Sequence, residues 1–100
     1  MAVTETRESN VFKYALGAGD TSNALLTEGR DVVVTCKPGG GGAMKAQATW
    51  STKADVLAGA ATWFDWDLGT VSANATRLIT KPTGIRFTAT TAAGTGEAVL

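Results

Sequence analysis

From Met44 to Ser51 apolar and polar residues alternate without a fault, Met44, Ala46, Ala48 and Trp50 on one side and Lys45, Gln47, Thr49 and Ser51 on the other. A period of two is the signature of a strand with one buried and one wet face, and it is incompatible with the 3.6-residue period of an amphipathic helix. The pattern recurs. At Val11–Leu16 it sets Phe12, Tyr14 and Leu16 against Val11, Lys13 and Ala15. Over residues 63–68 it sets Phe64, Trp66 and Leu68 inward and Trp63, Asp65 and Asp67 outward, and over 85–90 it alternates Ile85, Phe87 and Ala89 with Arg86, Thr88 and Thr90. Residues 31–36 are β-branched and apolar, as expected of a strand covered on both faces. Residues 97–100 finish as a strand whose apolar end packs into the sheet or against a neighbour.

Glycine and proline punctuate these strands at Gly17 to Asp20, Lys37 to Gly39, Gly69, Ile79 to Gly84 and Ala92 to Gly96. Pro82 restricts the chain and Gly84 permits a positive φ, so residues 79–84 read as a turn. Residues 21–30 and 53–62 are too short or too interrupted for sustained helix; each is expected to be a loop with at most one helical turn. Residues 70–78 are Ser-, Ala- and Thr-rich, an irregular segment or a weak strand with Val71, Ala73 and Ala75 on one face. The four glycines at 39–42 do not cradle a phosphate, because that chemistry needs Gly-Lys-Ser/Thr opening a helix and here Ala-Met-Lys leads into a strand; they predict a flexible hairpin. The expected fold is all-β, a single antiparallel β-sandwich or small jelly roll over residues 11–100, preceded by a flexible polar N-terminal arm over residues 1–10. Ala and Thr supply about a third of the chain, so the core is thin, and Trp50, Trp66, Phe64, Phe87 and Phe12 are its expected centre.

Composition excludes more than it assigns. The formal net charge is +0 and the pI near 6.1, with basic residues scattered, which argues against nucleic acid or an anionic membrane as partner. No apolar run approaches the ~20 residues of a membrane span, and the first residues lack the apolar core of a signal peptide, so the chain is expected to be made in a cytoplasm and to stay soluble. Histidine is absent, which removes imidazole zinc sites and His-activated nucleophiles. The single Cys36 closes no internal disulfide and is expected to be buried.

The remaining constellations are weak. Asp65 and Asp67 share a strand face about 7 Å apart, a spacing open to glycosidase chemistry, but a solvated face raises neither pKa. They are expected to be solvated, with Arg86 or Lys45 as ionic partners, and too few carboxylates surround them for calcium. Tyr14 with Lys13 or Lys45 lacks a partner set, and Asn74-Ala-Thr76 matters as a glycosylation acceptor only in a secreted protein. No catalytic residue, metal ligand or cofactor is expected. Trp63 is the more informative residue: on the carboxylate face it anchors a partner, packs under the loop at 53–62, or offers a sugar-stacking platform.

Four segments carry a family likeness: Ala48-Thr-Trp-Ser51, Trp63-Phe-Asp-Trp-Asp-Leu-Gly69, Pro82-Thr-Gly-Ile-Arg-Phe-Thr-Ala-Thr90 and Gly94-Thr-Gly-Glu-Ala-Val-Leu100. Together they resemble small bacteriophage virion β-sandwiches of the capsid decoration (cement) type, over a little more than half the chain. The resemblance implies a non-enzymatic structural protein on the capsid surface, often trimeric, binding the major capsid protein and bridging capsomers, with the N-terminal arm reaching a neighbour. Its expected interface comprises Trp63, Asp65, Asp67, Arg86, Thr4, Arg7, Val99 and Leu100. The glycine run at 39–42 and the connection at 21–30 have no counterpart in that pattern. A carbohydrate- or receptor-binding sandwich of a tail or head fibre, using Trp63, Asp65 and Asp67, is the alternative; a glycoside hydrolase ranks third.

Overall fold

The computed structural model describes residues 3–100. Nine strands and one short helix follow in order: β1 (Thr4–Glu8), β2 (Val11–Leu16), β3 (Leu25–Leu26), β4 (Val32–Pro38), β5 (Met44–Thr49), α1 (Lys53–Ala58), β6 (Phe64–Asp65), β7 (Ala75–Ile79), β8 (Gly84–Ala89) and β9 (Gly94–Val99). They form a five-stranded sheet, β1-β2-β9-β4-β7, and a four-stranded sheet, β3-β8-β5-β6. Every pairing is antiparallel.

The pairs β5 with β6, β4 with β7, β3 with β8 and β2 with β9 are nested inside one another. That is the pattern of one long hairpin with its tip at α1. Rolling the hairpin over brings β9 beside β4 and β8 beside β5, and the result is the strand order of a jelly roll with β1 added at one edge. The all-β sandwich expected from alternation is therefore present, but its strands meet mostly by crossing between sheets and seldom by tight hairpins.

The core fills the space between the sheets. Phe12, Tyr14 and Leu16 of β2 and Val32, Val34 and Cys36 of β4 face Met44, Ala46 and Ala48 of β5 and Ile85, Phe87 and Ala89 of β8, all buried. The Tyr14 and Phe87 rings meet at 5.7 Å between centroids. Trp66 is buried too, its backbone N–H donating to Ala46 O at 2.9 Å.

Two expected core aromatics lie outside. Trp50 is 53% and Phe64 55% exposed, and they pack on each other with centroids 6.3 Å apart. The alternation of β5 ends at Thr49, whose own side chain is buried and donates to Thr62 O at 2.7 Å; Trp50 falls just beyond the end of the strand. Phe64 sits opposite Ala48, on the inward side as its parity requires, but β6 is the last strand of its sheet and leaves it uncovered. β4 is likewise covered on one face only, since Val33 points out and is 39% exposed.

Four connections differ from expectation. The glycine run joins strands of different sheets, so it is a crossover and not a hairpin. Gly39 N–H donates to Ala93 O at 2.9 Å and a Cβ on Gly42 would meet the Ala92 Cβ at 2.9 Å, so the glycines allow this crossover to lie against the neighbouring one between β8 and β9. Residues 53–58 form a six-residue helix, with Thr52 Oγ1 accepting from the Asp55 N–H and Gly59 closing it at φ 74°. In the turn after β7, Lys81 and not Gly84 adopts the positive φ of 49°, its N–H held by Asp31 Oδ1 at 3.0 Å. Residues 21–30 contain no helical turn; they carry the short strand β3.

The N-terminal arm is, from Thr4, an edge strand joined to β2 by a turn at Ser9 and Asn10, with Ser9 at φ 56°. Its side chains are all exposed, and backbone pairing alone leaves no alternation to read. The expectation for Met1 and Ala2 lies outside the described residues.

Candidate assembly surface

The outer face of the four-stranded sheet holds Trp63, Arg86 and Asp65 together. Arg86, Gln47 and Asp65 sit side by side across β8, β5 and β6. Arg86 Nε donates to Gln47 Oε1 at 2.7 Å, and Gln47 Nε2 donates to Asp65 Oδ1 at 2.8 Å. Lys45 Nζ approaches the same carboxylate at 3.2 Å. The Gln47 hydrogen bond, then Lys45, hold the Asp65 carboxyl below its ordinary value. Arg86 Cζ lies 4.4 Å from the Trp63 ring centroid and covers it. Trp63 is half-buried, and its indole also lies close to Gly84, where a Cβ would stand 3.4 Å from the ring.

Asp67 does not join this row. The strand ends at Asp65, and the following turn swings Asp67 across to the other sheet, where Arg77 Nε of β7 donates to it at 3.0 Å. The two carboxylates therefore have separate cationic partners. Among the described residues no cluster of three or more His, Cys, Asp or Glu side chains could hold a metal ion.

The other predicted interface residues are dispersed. Thr4 and Arg7 lie on β1 at the opposite edge; Arg7 Cζ stands 4.9 Å from the Phe12 ring centroid and Nε donates to Ser9 O at 3.2 Å. Leu100 is drawn inward, its N–H donating to Asn10 O at 3.0 Å while its side chain packs on the core. Val99 alone stands among apolar neighbours on an outer face.

That neighbourhood is the feature missed in the sequence. Val11 opposes Val99, Val99 opposes Val33, and Val33 opposes Leu78, which places the four in one row across β2, β9, β4 and β7 on the outer face of the five-stranded sheet. Leu78 is 61% exposed. Around the β7 edge it shares a groove of about 320 Å³ with Trp50, Trp66, Asp65, Asp67 and Thr80. Trp50 is held at the rim, its Nε1 donating to Thr80 O at 3.1 Å. Apolar side chains thus run from Val11 to Leu78 and on to Trp50 and Phe64. Polar groups border them: the neighbouring row carries Lys13, Glu97, Thr35 and Thr76, with the Thr35 and Thr76 hydroxyls 2.9 Å apart. An apolar stripe with a polar border is the composition of a protein-binding surface. Its signal in the sequence was the outward parity of Val33, concealed within an unbroken apolar run.

No protein-family profile matches the chain, and no curated protein sequence matches it. Among solved structures the chain is similar to Peruvianin-I, a cysteine peptidase from Thevetia peruviana latex, with a TM-score of 0.49 and 14% identity over 88% of this chain and 47% of that one. This chain thus spans about half the length of that structure.

Proposed function

We propose that this chain is a non-enzymatic structural virion protein of a bacteriophage, a capsid decoration protein that lays its apolar stripe on the outer capsid surface and ties neighbouring capsomers together. The observation that carries this reading is the uncovered row of Val11, Val99, Val33 and Leu78, extended by Trp50 and Phe64 outside an already complete core. The partner is the major capsid protein, and the sequence resemblance to cement proteins supplies the setting. Binding is tested by adding purified protein to capsids that lack it and measuring what co-sediments. Trp50→Ala and Leu78→Asp should each weaken retention by roughly thirtyfold or more, the effect of losing a ~2 kcal/mol hot spot, with unchanged thermal unfolding. Undiminished retention of both variants would sink the reading.

The groove favours one alternative, a carbohydrate- or receptor-binding domain of a phage fibre. An exposed indole beside the Asp65 and Asp67 carboxylates offers a stacking face and hydrogen-bond acceptors to a sugar. Arg86 occupies the Trp63 ring, so Trp50 becomes the platform in this version. Binding on a glycan array that disappears in Trp50→Ala and persists in Trp63→Ala favours it; silence across the array removes it.

A further inference from the structure

We propose that β1 is a self-pairing edge: Thr4–Glu8 of one copy adds antiparallel to Thr4–Glu8 of a second, about a two-fold axis passing through Thr6, to give one continuous sheet across a dimer. β1 is the outermost strand of the five-stranded sheet and all five of its residues are exposed. Its free backbone groups can be assigned. Leu100 N–H donates to Asn10 O, which continues the register in which Phe12 opposes Ala98 and Tyr14 opposes Gly96. Even-numbered residues of β2 therefore bond to β9, and odd-numbered ones bond to β1. The β1 partners of Val11, Lys13 and Ala15 are Glu8, Thr6 and Thr4. Glu5 and Arg7 are left with N–H and C=O groups aimed at the open edge.

Only three two-fold registers join such outward-facing residues. An axis at Glu5 sets Glu5 against Glu5, and an axis at Arg7 sets Arg7 against Arg7; like charges directly opposite are unfavourable. An axis at Thr6 sets Glu5 against Arg7 twice and Thr6 against Thr6, giving two opposite-charge pairs and a threonine pair, both favourable cross-strand combinations. Charges that merely protect an edge repel every copy. These repel in two registers and attract in the third.

The side chains are also held ready. Glu5 Oε2 accepts from Tyr14 Oη at 2.7 Å and leaves its second oxygen free. Arg7 is anchored through Nε and by its stacking on Phe12, which leaves its two terminal nitrogens free. Five residues a side make an interface below the ~1,200 Å² of ordinary stable complexes, so the dimer forms at high protein concentration or on a surface that concentrates the chain. The contact is two-fold, in place of the trimer implied by the sequence resemblance, and it does not depend on what the apolar stripe binds.

Sedimentation velocity over a concentration series up to about 1 mM decides the matter. The wild type should dimerise. Glu5→Arg and Arg7→Glu should each associate about tenfold or more weakly, because each sets like charges opposite in the favoured register. An equimolar mixture of the two variants should dimerise again, since one variant then carries only arginines and the other only glutamates at these two positions, and every charge meets its opposite across the axis. That recovery also shows that both variants fold. A monomeric wild type, a single variant as dimeric as the wild type, or a mixture that fails to recover would each overturn the proposal. So would a dimer abolished by Leu78→Asp and untouched by Glu5→Arg, which would move self-association to the apolar stripe.

Discussion

Arg86 lies over Trp63 with its guanidinium carbon 4.4 Å from the ring centroid, and a second bond, Nε to Gln47 Oε1 at 2.7 Å, fixes it there. The tryptophan is consequently a structural contact of this sheet as well as part of its outer surface. Trp63→Ala should lower the unfolding free energy by about 1–3 kcal/mol, less than a fully buried tryptophan would cost. A double-mutant cycle with Arg86→Ala, read by urea unfolding, should give a coupling of about 0.5–1 kcal/mol. A coupling of zero would mean that the stacking contributes nothing.

Gly96 lies in the middle of the five-stranded sheet, opposite Tyr14 and Cys36, with the Phe87 ring of the other sheet seated on it. A Cβ at Gly96 would come within 2.5 Å of Phe87 Cδ1. The core has no slack to absorb this, so Gly96→Ala should destabilise by about 1–3 kcal/mol. Adding Phe87→Leu should recover part of the loss, measured as denaturation midpoints of the single and double variants.

Tyr14 is buried and its hydroxyl donates to Glu5 Oε2. Burial, then the Glu5 hydrogen bond and charge, push its pKa above the ordinary tyrosine value of 10.0. The folded protein therefore keeps the phenol proton at a pH where the unfolded chain has released it. This contribution to stability is intact below pH 10 and declines as pH rises beyond 10.0. Absorbance at the phenolate band should show no ionisation of Tyr14 near that value until the chain unfolds, and Tyr14→Phe should flatten the alkaline decline. A phenol that titrates normally in the folded state would contradict the placement.

Strand faces were legible in the sequence and neighbours were not. The alternations at Val11–Leu16, Met44–Thr49 and residues 85–90 identified the inward residues Phe12, Tyr14, Met44, Ala46, Ile85 and Phe87, because parity along an extended chain is a local property. The all-β class followed from the same parity, and the absence of histidine excluded imidazole chemistry without reference to any fold. Whether an inward side chain is covered depends on which strand lies across from it. Phe64 has the correct parity but occupies an edge, Trp50 follows the end of its strand, and Val33 faces out of a run that reads as wholly apolar. Their exposure, the crossover at 39–42 and the row from Val11 to Leu78 were decided only when the long hairpin rolled up, since strand order comes from contacts between distant segments. The polar segment Thr4–Glu8 became a strand for the same reason, through backbone hydrogen bonds to β2 that leave no mark on side-chain pattern.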